Sequence, residues 1–134
     1  MNQPWRQVLR PFRFGAAKGS YGKAFRVMGD RNEGRPCAVV EHIVLFKLKP
    51  ECTAIEKEEL LRRLRELEGK VEGMVSLTAG ETFTNRHKGY TIGLVVRFVD
   101  KEALERYGPH PAHMPVKAYV DQVCEDVVAV DYEF

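Results

Sequence analysis

The sequence predicts an α+β fold, a single sheet with helices on one face, its elements following one another in the order βαββαβ. Three observations carry this expectation. From Ala38 onward the texture becomes that of a folded domain, opening on the β-branched and aliphatic run Val39–Leu48. Leucines at helical spacing follow it, between Ala54 and Gly69. Two further aliphatic runs, Met74–Phe83 and Tyr90–Val99, are then separated by the turn-forming Asn85-Arg86-His87-Lys88-Gly89.

Each element has its own local reason. Pro50 ends the first strand, because proline has no N–H to continue a ladder. Thr53 stands as an N-cap with Glu56 three residues on, the capping-box spacing, so a helix is expected from about Ala54 to Gly69. Leu60, Leu61, Leu64, Leu67 and Val71 form its apolar stripe. Glu58, Arg62, Arg63, Arg65, Glu66 and Glu68 form its wet side, and Gly69 supplies the stop. The second strand is expected over Met74–Phe83 and the third over Tyr90–Val99. Asp100 caps a short helix through about Tyr107. Met114 to Cys124 is expected to be helical, and Val127 to Tyr132 closes the sheet as its fourth strand.

This order is the split βαβ arrangement of ferredoxin-like domains, in which the helices lie on one sheet face. In the third strand Tyr90, Ile92, Leu94, Val96 and Phe98 share one face, while Gly93 and Val95 lie on the other. In the first, His42, Val44, Phe46 and Leu48 oppose Ile43 and Leu45. Helices can cover only one of these two apolar faces. Burying aliphatic area is worth ~25 cal/mol per Å², so the other face calls for a second copy, a homodimer whose sheets face one another.

The 134 residues are 44% hydrophobic and 30% charged, which suits one ordinary globular domain. The net charge of +2 is unevenly spread. Residues 1–36 hold eight basic side chains against two acidic ones, and the rest holds thirteen against seventeen. The folded part is mildly acidic, so nucleic acid is not an expected partner. No run approaches the ~18–20 apolar residues of a membrane span, and no membrane association is expected.

Residues 1–37 read as a basic, flexible N-terminal extension ahead of a domain at 38–134. Within it Trp5, Val8, Leu9 and Phe12 recur at i, i+3, i+4 and i+7, with Arg6, Arg10 and Arg13 at positions between them. That is the amphipathic pattern of an organelle presequence, interrupted by Pro11. A cytoplasmic protein is expected, with mitochondrion or plastid as the alternative if this segment is a targeting signal. Cys37, Cys52 and Cys124 are odd in number and lack CxxC spacing, which favours reduced thiols over a disulfide framework or a zinc site.

Chemistry concentrates in Tyr107-Gly108-Pro109-His110-Pro111-Ala112-His113. One phenol and two imidazoles fall at three-residue spacing, stiffened by two prolines, as at the lip or floor of a pocket. His113, just ahead of a helix, either faces a ligand, caps that helix or bonds a backbone carbonyl. His110, between two prolines, is a turn residue or a ligand contact. His42 shares a strand face with apolar residues, as a core imidazole or a pocket donor. A three-histidine metal site from His42, His110 and His113 would have no obvious acidic or thiolate ligand beside it, so no metal is expected.

Four segments carry a resemblance: Glu41-His42-Ile43-Val44-Leu45-Phe46-Lys47, Gly89-Tyr90-Thr91, His110-Pro111-Ala112-His113 and Val130-Asp131-Tyr132. Together they resemble the stress-responsive A/B barrel (Dabb) family of dimeric α+β barrel proteins, over about residues 38–134. The resemblance implies two sheets packed into a shared barrel. Most members have no established chemistry. One plant member closes a linear polyketide by intramolecular aldol condensation, without a metal or an organic cofactor. On that likeness Tyr107 matches its catalytic tyrosine, His113 its catalytic histidine and His42 a pocket histidine. Leu64 stands where that member has a pocket tyrosine and Ile92 where it has a histidine, departures that bear on polyketide specificity.

The functional expectation is therefore a homodimer with a small apolar ligand pocket at His42, His110, Leu64 and Ile92, and no established chemistry. The alternative is a cofactor-free, aldol-type polyketide cyclase or lyase. In that reading His113 is the base, an imidazole with pKa near ~6.5, and Tyr107 is the proton donor.

Overall fold

Strand β1, Val40–Leu48, lies inside the sheet, paired antiparallel with a neighbour on each side. The computed structural model describes residues 38–134; the basic segment 1–37, with its amphipathic stretch, lies outside the described residues. Helix α1 spans Ala54–Arg65, β2 Met74–Glu81, β3 Tyr90–Phe98, α2 Lys101–Tyr107, α3 Met114–Val123 and β4 Cys124–Glu133. All strand pairs are antiparallel and the sheet order is β2-β3-β1-β4, the ferredoxin-like α+β topology that the element order predicted.

The start signals work as the sequence implies. Thr53 N donates to Glu56 Oε2 at 2.8 Å and Glu56 N donates to Thr53 Oγ1 at 3.2 Å, a complete capping box. The Asp100 carboxylate accepts from Ala103 N at 2.7 Å at the head of α2. The stops differ. The α-helical ladder of α1 ends at Arg65, and the chain tightens into i→i+3 turns, Leu67 N to Leu64 O and Glu68 N to Arg65 O, before Gly69 takes φ +73°. The expected helix end at Gly69 is therefore four residues late. β2 stops at Glu81, leaving Phe83 outside it, and Cys124 belongs to β4 rather than to the preceding helix.

The core lies between the helices and one face of the sheet. Val40, Val44, Phe46, Ile92, Leu94, Val96 and Phe98 supply the sheet side; Leu60, Leu61, Leu64 and Leu67 of the α1 region and Val116, Val120 and Val123 of α3 close it. A bulge between Phe46 and Lys47 sets Tyr90 opposite Lys47, and the Tyr90 hydroxyl donates to the Asp126 carboxylate. The strict alternation that grouped Tyr90 with Ile92 thus breaks at the bulge. On the opposite sheet face Ile43, Leu45, Val95, Val128 and Val130 have no helix over them, and Val130 is 53% exposed. No helix among the described residues is long and apolar enough to cross a membrane.

Candidate functional site

Helix α2 ends on Tyr107, whose ring turns inward and is only 3% exposed. Three rings surround it. Phe98, the last residue of β3, lies 5.2 Å away between centroids; His42 of β1 meets it edge-on at 5.7 Å; His113 lies at 4.1 Å with its plane tilted by 30°. The turns that follow bring His113 back: His110 N donates to Tyr107 O at 3.2 Å, and His113 N donates to His110 O at 2.9 Å. The two prolines keep this path short.

His113 stands at the N-cap of α3 but makes no side-chain cap bond. Its Nδ1 instead lies 2.9 Å from the Gly108 carbonyl, and because a carbonyl only accepts, Nδ1 carries the proton. The second ring nitrogen, Nε2, then keeps its lone pair in the neutral ring. Burial lowers the His113 pKa from its ordinary 6.5, partly opposed by the Gly108 bond, so the neutral base prevails at neutral pH. Burial pushes the Tyr107 phenol up to about 12, so it stays protonated.

His42 is positioned in the same way from the other side. Its Nδ1 donates to the Asp131 carboxylate, which the β1–β4 register sets directly opposite it. The result is a line: Asp131, His42, Tyr107, His113, Gly108 carbonyl. Each imidazole has Nδ1 committed to an acceptor, and a phenol stands between them. No hydrogen bond to the Tyr107 hydroxyl is found among the described residues. Since none of their fully buried side-chain polar atoms lacks a partner, that oxygen must touch accessible space. Such an arrangement can remove a proton from carbon and stabilise the oxyanion that forms.

The structure thus brings His42, Tyr107 and His113 together. His110 serves the turn, its Nδ1 accepting from Ala112 N at 3.1 Å. Ile92 is 1% exposed and pairs with Phe46, four residues along β3 from Val96, the partner of His42, or roughly 13 Å away. Leu64 is 2% exposed in the buried stripe of α1. Sequence reasoning gave no role to Asp131 or to the Gly108 carbonyl. The former was findable from strand pairing, as an acidic residue sharing a face with a histidine; the latter, a backbone atom, leaves no mark in a sequence. Among the described residues no group of three or more His, Cys, Asp and Glu side chains is placed to hold a metal ion. A concavity of about 950 Å³ lies away from this cluster, against β2, β3 and the hairpin joining them.

Residues 40–134 match the family described as Stress responsive A/B Barrel Domain. The chain is 30% identical over 95 residues to olivetolic acid cyclase of Cannabis sativa, an alignment covering 69% of this chain and 94% of that protein. It is 29% identical over 96 residues to a stress-response A/B barrel domain-containing protein of Arabidopsis thaliana, covering 70% and 88% of the two chains. Among solved structures, a dimeric protein of unknown function and ferredoxin-like fold from Bacteroides fragilis superposes with a TM-score of 0.61 at 28% identity, over 72% of this chain and 96% of that one.

Proposed function

Because the chain belongs to the stress-responsive A/B barrel domain family, we propose that it acts as a homodimer joined through the open sheet faces, each protomer binding a small, largely apolar carbonyl compound beside Tyr107. The chemistry that this site supports best is cofactor-free proton transfer at the carbon next to the carbonyl, as in an aldol-type cyclase or lyase. His113 is the base, Tyr107 donates to the developing oxyanion, and His42, oriented by Asp131, is a second donor or acceptor at the same place. One observation carries this reading: a protonated phenol with no protein hydrogen bond stands between two imidazoles whose Nδ1 atoms are both committed. A cytoplasmic location accords with an odd number of cysteines that lack CxxC spacing, and import into an organelle is the alternative if residues 1–36 are cleaved.

The test is hydrogen–deuterium exchange at the α-carbon of a simple alkyl methyl ketone, followed by proton NMR. The protein should accelerate exchange above an imidazole buffer of equal concentration. His113→Ala and Tyr107→Phe should each lower that rate about 10²-fold or more while the fold stays intact. No acceleration by the unaltered protein would refute the chemistry. A second reading, ligand binding without turnover, is favoured by the depth of burial of Tyr107. It predicts that the ketone shifts the ring resonances of Tyr107 and His113 without any exchange.

A further inference from the structure

The two flanks of α3 have different surroundings. Val116, Val120 and Val123 turn to the core. Tyr119 reaches α1, its hydroxyl donating to Glu56 O at 3.3 Å and Arg63 Cζ standing 4.1 Å from the centre of its ring. At about 100° per residue, His113 and Lys117 then fall on the other flank, away from α1. Lys57 pairs with Glu81 and Arg65 donates to Ala79 O, so α1 lies over β2, and β4 is the opposite edge of the sheet. The flank carrying His113 and Lys117 therefore looks towards β4.

That edge is bare on its helix side. Val127 and Ala129 stand opposite the core residues Phe46 and Val44, and Asp131 stands opposite His42, so the three share the helix-side face of β4; all are exposed. A ledge of hydrocarbon thus runs beside α3, with the rings of His42, Tyr107 and His113 at one end. Lys117 follows His113 by four residues, its N–H donating to His113 O at 2.9 Å, so the two stand one turn apart on one face. Side chains on a helix lean towards its N-terminus, which carries the Lys117 ammonium back over the His113 turn. The His113 pKa is lowered chiefly by burial, and the Lys117 charge is among the further causes. Among the described residues Lys117 makes no ion pair and no side-chain hydrogen bond. The acid of the site, Asp131, lies across the rings from it, bonded to His42.

We propose that Lys117 binds a carboxylate on the ligand, so that the compound taken up beside Tyr107 is a keto acid and not a neutral ketone. This rests on the carbonyl site proposed above and names its substrate class. The keto oxygen meets the Tyr107 hydroxyl, the carboxylate meets the Lys117 ammonium, and the hydrocarbon between them lies against Val127 and Ala129. The reverse orientation would turn the ligand's carboxylate towards Asp131, where like charges repel. One helical turn rises about 5.4 Å, a step matched by a ketone and a carboxylate separated by two or three methylenes. A charge-assisted bond to an ammonium that has no partner of its own discriminates an acid from its neutral analogue without breaking any contact in the protein. Lys117 sets specificity and takes no part in the proton transfer itself.

The experiment compares 5-oxohexanoate with 5-oxohexanamide, alike in length and shape but not in charge, by NMR titration of the Tyr107 and His113 ring resonances in the full chain. The acid should bind about 5–10-fold more tightly than the amide at low salt, and the advantage should shrink as salt is added. Lys117→Met should remove the preference, Lys117→Glu should reverse it, and Lys117→Arg should keep it. Circular dichroism checks that each variant folds. Equal affinities of the unaltered protein for acid and amide, or a preference that survives Lys117→Met, overturns the proposal. Exchange at the α-carbon, read on the same samples, separates it from the reading on which it rests. Binding of the acid through Lys117 without exchange refutes the proton-transfer chemistry and upholds the carboxylate site. Exchange with no preference for the acid upholds the chemistry and overturns the carboxylate site. If neither compound shifts the ring resonances, both fail.

Discussion

The ring of Tyr107 is buried while its hydroxyl oxygen reaches accessible space without a protein partner, and this sets how the group titrates. Burial raises its pKa to about 12 from the ordinary 10, so the folded state holds the proton more tightly than the unfolded chain does. Stability from this group is therefore complete below pH 10 and is lost as pH rises towards 12. Tyr107→Phe removes the titrating group and leaves no unmet polar atom behind. That variant should melt at the same temperature as the parent or slightly above it at pH 7, and should keep more of its stability above pH 10. Thermal unfolding across pH 8–12 checks this, and a large loss of stability at pH 7 would mean that the hydroxyl has a structural role. His113 has the opposite sign. Its folded pKa is lowered, so the active, neutral form should persist below pH 6.5, and the acid limb of the exchange rate should fall beneath the usual imidazole range. An alkaline limb should be absent until the phenol itself ionises.

Between elements, the chain before β2 packs closely against α2. Gly73 takes φ +86°, its carbonyl accepts from Val99 N at 2.9 Å, and a Cβ there would stand 2.5 Å from the Cβ of Ala103. Gly73→Ala should therefore cost about 2–3 kcal/mol, from the left-handed backbone and the collision together, measurable by urea denaturation. Because α2 ends on Tyr107, the same change should also loosen the site and lower its exchange rate, whereas Gly69→Ala, with open space around it, should cost only the backbone strain. Legibility in the sequence follows the range of the interaction. The strands, the capping box and the Asp100 cap were readable because each depends on residues within a few positions of itself. The end of α1 was not, because the change from α-helical to tighter turns depends on packing beneath Leu67 and Val71. Cys124 was misplaced because an amphipathic helix runs straight into the strand without a glycine or proline between them. In the site, Tyr107 and His113 are six residues apart and could be seen together. His42 and Asp131 are 89 residues apart, and only the β1–β4 register joins them.

At the scale of the whole molecule, the helices leave too much uncovered for a lone subunit. β4 is a sheet edge, buried only at Cys124, with Val127, Val128, Val130 and Tyr132 each at least 40% exposed. An exposed apolar edge strand with unpaired backbone groups is an invitation to further pairing. The ion pairs Arg97–Glu41 and Lys47–Glu125 stand at opposite ends of the open face, flanking an apolar centre as a polar rim would. If the native unit is the dimer, its stability is linked to concentration, because unfolding releases two chains from one particle. For a pair of roughly 100-residue domains, a tenfold rise in protein concentration should raise the melting temperature by about 3 °C. Val130→Asp places a carboxylate on the β4 side of the apolar face, at a position the lone subunit leaves half exposed. It should abolish the concentration dependence and halve the sedimenting mass, because each carboxylate would be desolvated in an apolar contact with no cation beside it. A melting temperature independent of concentration in the parent protein, with no change in mass on Val130→Asp, would show that the apolar face stands open to water in a stable monomer.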